Sequence, residues 1–78
     1  MSKNSNLNPY EELANAIVLQ AVRDYREANK KLSRGRKNRD AQDTKDECLR
    51  FFRSKWFSQL TDLDPELLIR RLDEEVTA

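Results

Sequence analysis

The apolar residues between positions 10 and 32 recur every three or four positions, which is the spacing of one helical face. They are Tyr10, Leu13, Ala14, Ile17, Ala21, Tyr25, Ala28 and Leu32. Asn8 and Pro9 precede them as an N-cap and a proline at the first helical position. Gly35 follows them, and glycine commonly ends a helix. The pattern therefore predicts a long first helix that begins at Pro9 and ends just before Gly35.

Three shorter apolar segments follow, and each begins with a residue that favours a helix start. Asn38 precedes the first segment, Ser54 precedes a short second one, and Asp64-Pro65 precedes the third. No segment alternates β-branched and polar residues as a half-buried strand does. The sequence therefore predicts an all-α fold with a helical hairpin, a short linker helix and a C-terminal helix. We expect one domain over residues 1–78, with residues 1–7 as a flexible tail.

The chain is short for a stable core of its own. At 78 residues it buries only about 60% of the surface that its unfolded form exposes. One cysteine cannot form an internal disulfide, and without histidine no zinc site is expected. We therefore expect the protein to be an oligomer. Leu19 and Val22 extend the apolar surface of the first helix around a second side, so they are the predicted interface; a singly exposed leucine is the ordinary alternative.

Residues that could support catalysis are scarce. The chain has no histidine and no glycine-rich loop for a phosphate. Cys48 lies on an apolar helical face, so a buried and inert thiol is expected. We predict no enzyme activity, no cofactor and no metal. The longest apolar run, Ala16–Leu19, is too short for a membrane span, and no signal peptide is visible, so a cytoplasmic protein without a membrane partner is expected.

The arrangement of charges carries more information than the net charge of +1. Six lysines and arginines lie between positions 30 and 39 with no acid among them. A second acid-free segment, residues 48–59, interleaves Arg50, Arg53 and Lys55 with four aromatic residues. Basic groups beside aromatic rings suit a ligand with phosphates and bases. The ordinary alternatives are a solvated basic loop and aromatic residues that belong to the core.

These segments provide the candidate ligand contacts. Arg53, with Arg26 as a weaker candidate, would neutralise phosphates, and Trp56 or Tyr25 would stack a base. The backbone after Ser54 would add donors. Candidate nucleic-acid or anion contacts in the basic loop are Arg34, Arg36, Lys37 and Arg39. Reading of a DNA major groove by the second helix is not expected, because that helix would present Asp40, Asp43, Asp46 and Glu47 to a polyanion.

Three segments resemble short, mostly uncharacterised proteins of prophages and mobile elements in Gram-positive bacteria. The most specific one is Phe51-Phe52-Arg53-Ser54-Lys55-Trp56-Phe57, and residues 16–26 and 60–69 are also similar. The resemblance covers roughly residues 10 to 76 and implies an accessory role in a phage within the host cell. It implies no catalytic residues.

Three hypotheses of function follow from these patterns, and all of them involve binding. In the first, a helical oligomer acts against host defence by sequestering a phosphate-bearing nucleotide signal in pockets between subunits. In the second, the protein is an inhibitor or an adaptor that docks on a host or phage protein through an apolar or acidic face. In the third, the basic loop binds nucleic acid and the protein acts as a regulator.

Overall fold

The computed structural model describes residues 9–35 and 37–77, which form four α-helices and no strand. The helices are α1 (Pro9–Ser33), α2 (Arg39–Phe52), α3 (Lys55–Leu60) and α4 (Pro65–Thr77). The predicted all-α fold is confirmed, while the predicted tail over residues 1–7, Asn8 and Arg36 lie outside the described residues. Within the described ranges, no helix combines the length and the apolar character that crossing a membrane requires.

The helices begin where local capping residues place them. The Asn38 side chain accepts a hydrogen bond from the backbone N–H of Ala41 at 2.9 Å. The Ser54 hydroxyl accepts one from the N–H of Phe57 at 3.2 Å and so starts α3. Asp64 accepts from the N–H of Glu66 at 3.0 Å at the start of α4. Each cap satisfies a backbone donor that the first helical turn leaves free.

A tight turn after α1 reverses the chain and makes α1 and α2 an antiparallel hairpin. Gly35 has a φ of +80°, a conformation that glycine adopts without the steric cost of a Cβ atom. The pairing of the helices places Ala21 of α1 beside Cys48 of α2, whose thiol lies 3.6 Å from the Ala21 carbonyl oxygen. The predicted hairpin is therefore present, with its closed end at the basic loop.

The core lies between the hairpin, α3 and α4. Its three fully buried large side chains, Tyr25, Phe52 and Phe57, pack edge to face with ring centroids 5.5–5.7 Å apart. Ile69 and Leu72 close this core from α4. Each of the four helices therefore contributes at least one aromatic or aliphatic side chain to a single core.

The buried face of α1 differs from the predicted stripe. Val18, Val22, Tyr25, Ala28 and Asn29 are buried, whereas Tyr10 and Leu13 are exposed. At about 100° per residue, the buried face is rotated by roughly 60° from the centre of the predicted stripe. The rotation arises because α4 covers the flank of α1 that carries Val18 and Val22 and leaves the flank with Leu13 open.

The side of the hairpin covered by α4 is held by polar contacts to one carboxylate. Asp73 accepts hydrogen bonds from the Tyr25 hydroxyl at 2.7 Å and from the Asn29 amide at 3.1 Å. The Lys45 ammonium lies 3.9 Å from the same carboxylate and 5.6 Å from the centroid of the Tyr25 ring. This cluster joins α1, α2 and α4 and satisfies the polar groups that their packing removes from water.

Candidate functional site

Two of the predicted ligand contacts, Tyr25 and Ser54, make their hydrogen bonds within the chain itself. Tyr25 is fully buried, and burial together with its hydrogen bond to Asp73 raises the pKa of the hydroxyl well above its usual value. The Tyr25 ring therefore has no exposed face for its predicted role in stacking a base. The Ser54 hydroxyl donates to the Phe51 carbonyl oxygen at 2.6 Å and accepts from the Phe57 N–H. Both of its hydrogen-bonding directions are used in starting α3.

The two predicted phosphate contacts each pair with a carboxylate of α4. Arg53 makes a two-pronged ion pair with Glu66, with nitrogen–oxygen distances of 2.8 and 3.1 Å. Arg26 pairs in the same manner with Glu75 at 2.9 and 3.1 Å. These hydrogen bonds lower the pKa of both carboxyl groups and raise the pKa of both guanidinium groups. The acid-free segment 48–59 therefore meets an acid, Glu66, in three dimensions.

Val22 and Leu19, the predicted oligomer interface, separate in the structure. Val22 belongs to the core of the single chain and is 8% exposed, so it offers little surface for the predicted contact with another subunit. Its burial comes from α4, which covers that flank of α1. Leu19 is 53% exposed, and its contact with another subunit stays a prediction.

Trp56 behaves differently from the other aromatic residues of its segment. Its ring packs edge to face against Phe51, with centroids 5.6 Å apart, yet 54% of the residue is exposed. Phe51 in turn contacts the buried Phe52 and Phe57. One side of the Trp56 ring thus packs on Phe51, which rests on the core, while the rest of the ring is exposed to solvent. An exposed aromatic ring held in this way is suited to a binding contact.

A groove runs along the open flank of the hairpin, with Trp56 at its centre. Its first section, of about 680 Å³, lies between the start of α1 and α3. It is lined by apolar residues, among them Tyr10, Leu13, Trp56 and Leu60, and by polar ones, namely Glu11, Asn15, Gln59, Thr61 and Asp62. A second section, of about 350 Å³, lies between α1 and α2 and is lined by Ala21, Phe51 and others. Ile17 and Trp56 line both sections, so the two sections adjoin each other. We call the two sections together the apolar part of the hairpin groove.

The hairpin groove continues towards the closed end of the hairpin and becomes acidic. Its third section, of about 420 Å³, shares Asp24 and Glu47 with the second and adds Glu27 and Asp40. We call this section the acidic part of the hairpin groove. Burial first, and then the charges of Asp24 and Glu47, raise the pKa of the Cys48 thiol to about 11. The thiol therefore stays protonated at neutral pH, as expected for an inert cysteine.

The basic loop lies at the closed end of the hairpin. Arg34, Lys37 and Arg39 are exposed, and no carboxylate of the described residues pairs with any of them. Arg36 lies outside the described residues. The structure thus leaves the described cations of this loop accessible to solvent, and their contact with an anion stays a prediction.

The site contains residues that sequence reasoning missed. Tyr10 and Leu13 belong to the predicted apolar stripe of α1 and were not predicted as a binding surface. The cluster of Asn29, Lys45 and Asp73, which holds α4 on the opposite side of the hairpin, was not predicted either. A polar residue on the apolar face of α1, Asn29 four positions after Tyr25, was a signal that a polar partner packs there. Among residues 9–35 and 37–77, no group of three cysteine or acidic side chains is placed to hold a metal ion.

Comparisons of the chain with protein-family models, with curated proteins and with solved structures find no match. The resemblance to phage proteins therefore stays an expectation. On the surface of this chain, the hairpin groove is the feature that joins exposed apolar residues to a defined shape.

Proposed function

We propose that this protein is a non-enzymatic binding protein that takes up a helical segment of another polypeptide in the hairpin groove. The observation that carries the proposal is the exposure of three large apolar residues along one groove. Tyr10 is 82% exposed, Leu13 59% and Trp56 54%. With about 200 Å² for a large aromatic side chain, Tyr10 and Trp56 alone present roughly 250–300 Å² of surface to water. Exposed surface of that order approaches the largest apolar patch of a typical monomer, which is often functional.

The shape of the groove favours a helix as the occupant. An antiparallel helix pair has two open sides, and α4 covers one of them through Arg26, Asn29 and Tyr25. The other side is the hairpin groove, which follows the helix axes. A further helix laid there would complete a three-layer arrangement and cover the apolar floor, as in other grooves that bind amphipathic helices.

A second copy of this chain is a poor occupant of the groove. If two grooves met in antiparallel orientation, the carboxylates of one acidic part would lie on the apolar part of the other. In parallel orientation, the two sets of carboxylates would face each other. Both arrangements are unfavourable, because like charges or unpaired charges would lose their water. Self-association through Leu19 stays a separate prediction that does not use the groove.

Nucleotide sequestration, the competing hypothesis, also stays a prediction. Its remaining support is that Trp56 and Arg53 are exposed and close in sequence. It requires Arg53 to exchange Glu66 for a phosphate, and it loses the contribution first assigned to Tyr25. The accessory role in a phage, including action against host defence, rests on the resemblance of residues 16–26, 51–57 and 60–69.

The test uses the single tryptophan of the chain as a reporter, because Trp56 lies where the two apolar sections of the groove join. The full chain is titrated with a synthetic amphipathic helical peptide of about 20 residues that carries leucines in an i, i+4, i+7, i+11 stripe and uncharged glutamines elsewhere. Binding should shift the Trp56 emission to shorter wavelength and protect the ring from acrylamide quenching.

A matched pair of variants locates the binding. Leu13→Asp places a charge in the groove, whereas Leu67→Asp places the same charge on an exposed leucine of α4 outside it. We expect Leu13→Asp to weaken peptide binding by about 10-fold or more and Leu67→Asp to leave it unchanged. Equal effects of the two variants, or no change in Trp56 fluorescence with the folded wild type, would overturn the proposal.

A further inference from the structure

The four carboxylates of the acidic part differ from Glu66, Asp73 and Glu75 of α4 in forming no ion pair within the described residues. Ion pairs within the described residues join Arg26 to Glu75, Lys45 to Asp73 and Arg53 to Glu66, and all three acids belong to α4. None of these pairs involves the four carboxylates of the acidic part, Asp24, Glu27, Asp40 and Glu47.

The sign of the charge is uniform along most of the groove. Asp62 lies at the far end of the apolar part, and Asp24 and Glu47 lie where the apolar part meets the acidic part. Lys31 is the one basic residue among the described residues that line any of the three sections. A ligand in this groove therefore meets an apolar floor and a negative field, which steers cations towards it and repels anions.

The negative charges of the groove act on Cys48, which lines its second section. The thiol of Cys48 lies between α1 and α2, and the carboxylates of Asp24 and Glu47 act on it together with burial to raise its pKa. Asp24 accepts a hydrogen bond from the Gln20 amide at 2.9 Å, a neutral donor that leaves the negative charge in place. A cation placed over Asp24 and Glu47 would gain charge-assisted hydrogen bonds that no neighbour in the described chain supplies.

We propose that the segment bound in the hairpin groove is a basic amphipathic helix, whose apolar stripe packs on the apolar part and whose lysines or arginines lie over the acidic part. This inference rests on the proposed function. The groove follows α1 from Tyr10 to Lys31, roughly 30 Å at 1.5 Å per residue, so a helix of about 20 residues matches its length. The same negative charge disfavours a nucleic-acid or phosphate ligand in this groove.

Three synthetic peptides of about 20 residues test the proposal. All three share the leucine stripe, and four flanking positions in one half carry lysine, glutamine or glutamate. Trp56 fluorescence measures their affinity for the full chain. We expect the lysine peptide to bind most tightly and the glutamate peptide least, with at least about a 10-fold difference at low salt. The difference should shrink as NaCl is raised, because the charges are screened.

A pair of double variants with the same net charge separates a local contact from a general charge effect. Asp24→Asn with Glu47→Gln removes two carboxylates from the groove, and Glu12→Gln with Asp43→Asn removes two exposed carboxylates outside it. We expect the groove variant to weaken the lysine peptide about 3- to 10-fold and to leave the glutamine peptide unchanged. The control variant should leave both unchanged.

The outcomes separate this inference from the proposed function. Equal binding of the three peptides, or equal effects of the two double variants, overturns the basic helix and leaves the groove as a peptide site. If the glutamate peptide binds more tightly than the lysine peptide, the basic helix is likewise overturned and the groove remains a peptide site. Absence of binding by all three peptides overturns both proposals. A doubled mass in sedimentation, abolished by Leu13→Asp, identifies a second copy as the occupant and also overturns both.

Discussion

The hydroxyl of Tyr25 donates a 2.7 Å hydrogen bond to the carboxylate of Asp73, across 48 residues of chain. It joins the second half of α1 to the second half of α4 at a point where the Tyr25 ring is fully buried. Asn29, which is also buried, donates to the same carboxylate oxygen. The contact therefore sets where α4 lies on the hairpin and, as a result, which flank of α1 remains open as the groove.

Replacing Asp73 with alanine should destabilise the protein more than removing the Tyr25 hydroxyl. Asp73→Ala leaves two buried donors, on Tyr25 and Asn29, without their acceptor, and we expect a loss of about 2 kcal/mol in the free energy of unfolding. Tyr25→Phe removes one donor while Asn29 still binds the carboxylate, for a loss of about 1 kcal/mol. Urea denaturation followed by circular dichroism measures both, with Asp62→Ala as an exposed control. An Asp73→Ala protein as stable as the control would contradict this assignment.

Cys48 should make the protein less stable at alkaline pH. Its pKa is raised from 9.0 to about 11 in the folded chain, so the unfolded chain releases the thiol proton first. The stabilisation is complete below pH 9 and is lost as the pH rises to 11, on the order of 1 kcal/mol. Urea denaturation at several pH values measures the slope. In the matched variant Cys48→Ala the decline between these pH values should be smaller; an unchanged decline would refute the contribution of this thiol.

Arg53 should matter little for folding, since exposed ion pairs are screened by water and salt. We expect Arg53→Ala to unfold at nearly the same urea concentration as the wild type and to bind the amphipathic peptides equally well. The same variant tests nucleotide sequestration. Calorimetric titration against cyclic nucleotides and ADP-ribose derivatives should give no heat for the wild type if the groove is the functional site. Nucleotide binding that disappears with Arg53→Ala would instead favour the competing hypothesis.

The basic loop should bind polyanions weakly and without sequence preference. We expect the wild type to be retained on heparin at about 50 mM salt and released at moderately higher salt. Neutralising Arg34, Arg36, Lys37 and Arg39 together should abolish the retention. The control neutralises four cations elsewhere, namely Arg23, Arg50, Lys55 and Arg70. If both quadruple variants elute together, the retention reflects net charge and the loop makes no specific contribution.

The sequence was informative about helix ends because capping is local chemistry. Asn38, Ser54 and Asp64 bind backbone N–H groups two or three residues ahead, and Gly35 adopts its positive φ within a single turn. Such interactions depend on neighbours along the chain, so they were visible before any tertiary contact was known. The inert character of Cys48 was visible for the same reason, from its place on an apolar helical face.

The partners of the charged residues were not visible in the same way. The segment around Arg53 is free of acids in sequence, yet Glu66 reaches it from a helix that begins 12 residues later. Arg26 and Glu75 are 49 residues apart, and periodicity alone does not show that α4 passes beside α1 there. The absence of acids near Arg53 in sequence predicted an anion site there, but the fold brings Glu66 of α4 to the same place.

The sequence by itself determined that this protein is a set of helices with defined starts, an inert thiol, a basic loop and an aromatic segment. These properties follow from backbone capping and from residue spacing, which act over a few positions. Tertiary structure decided which aromatic and apolar residues became core and which became surface. Because α4 covers one flank of α1, Tyr25 and Val22 were buried, while Tyr10, Leu13 and Trp56 were left along an open groove with unpaired carboxylates at one end.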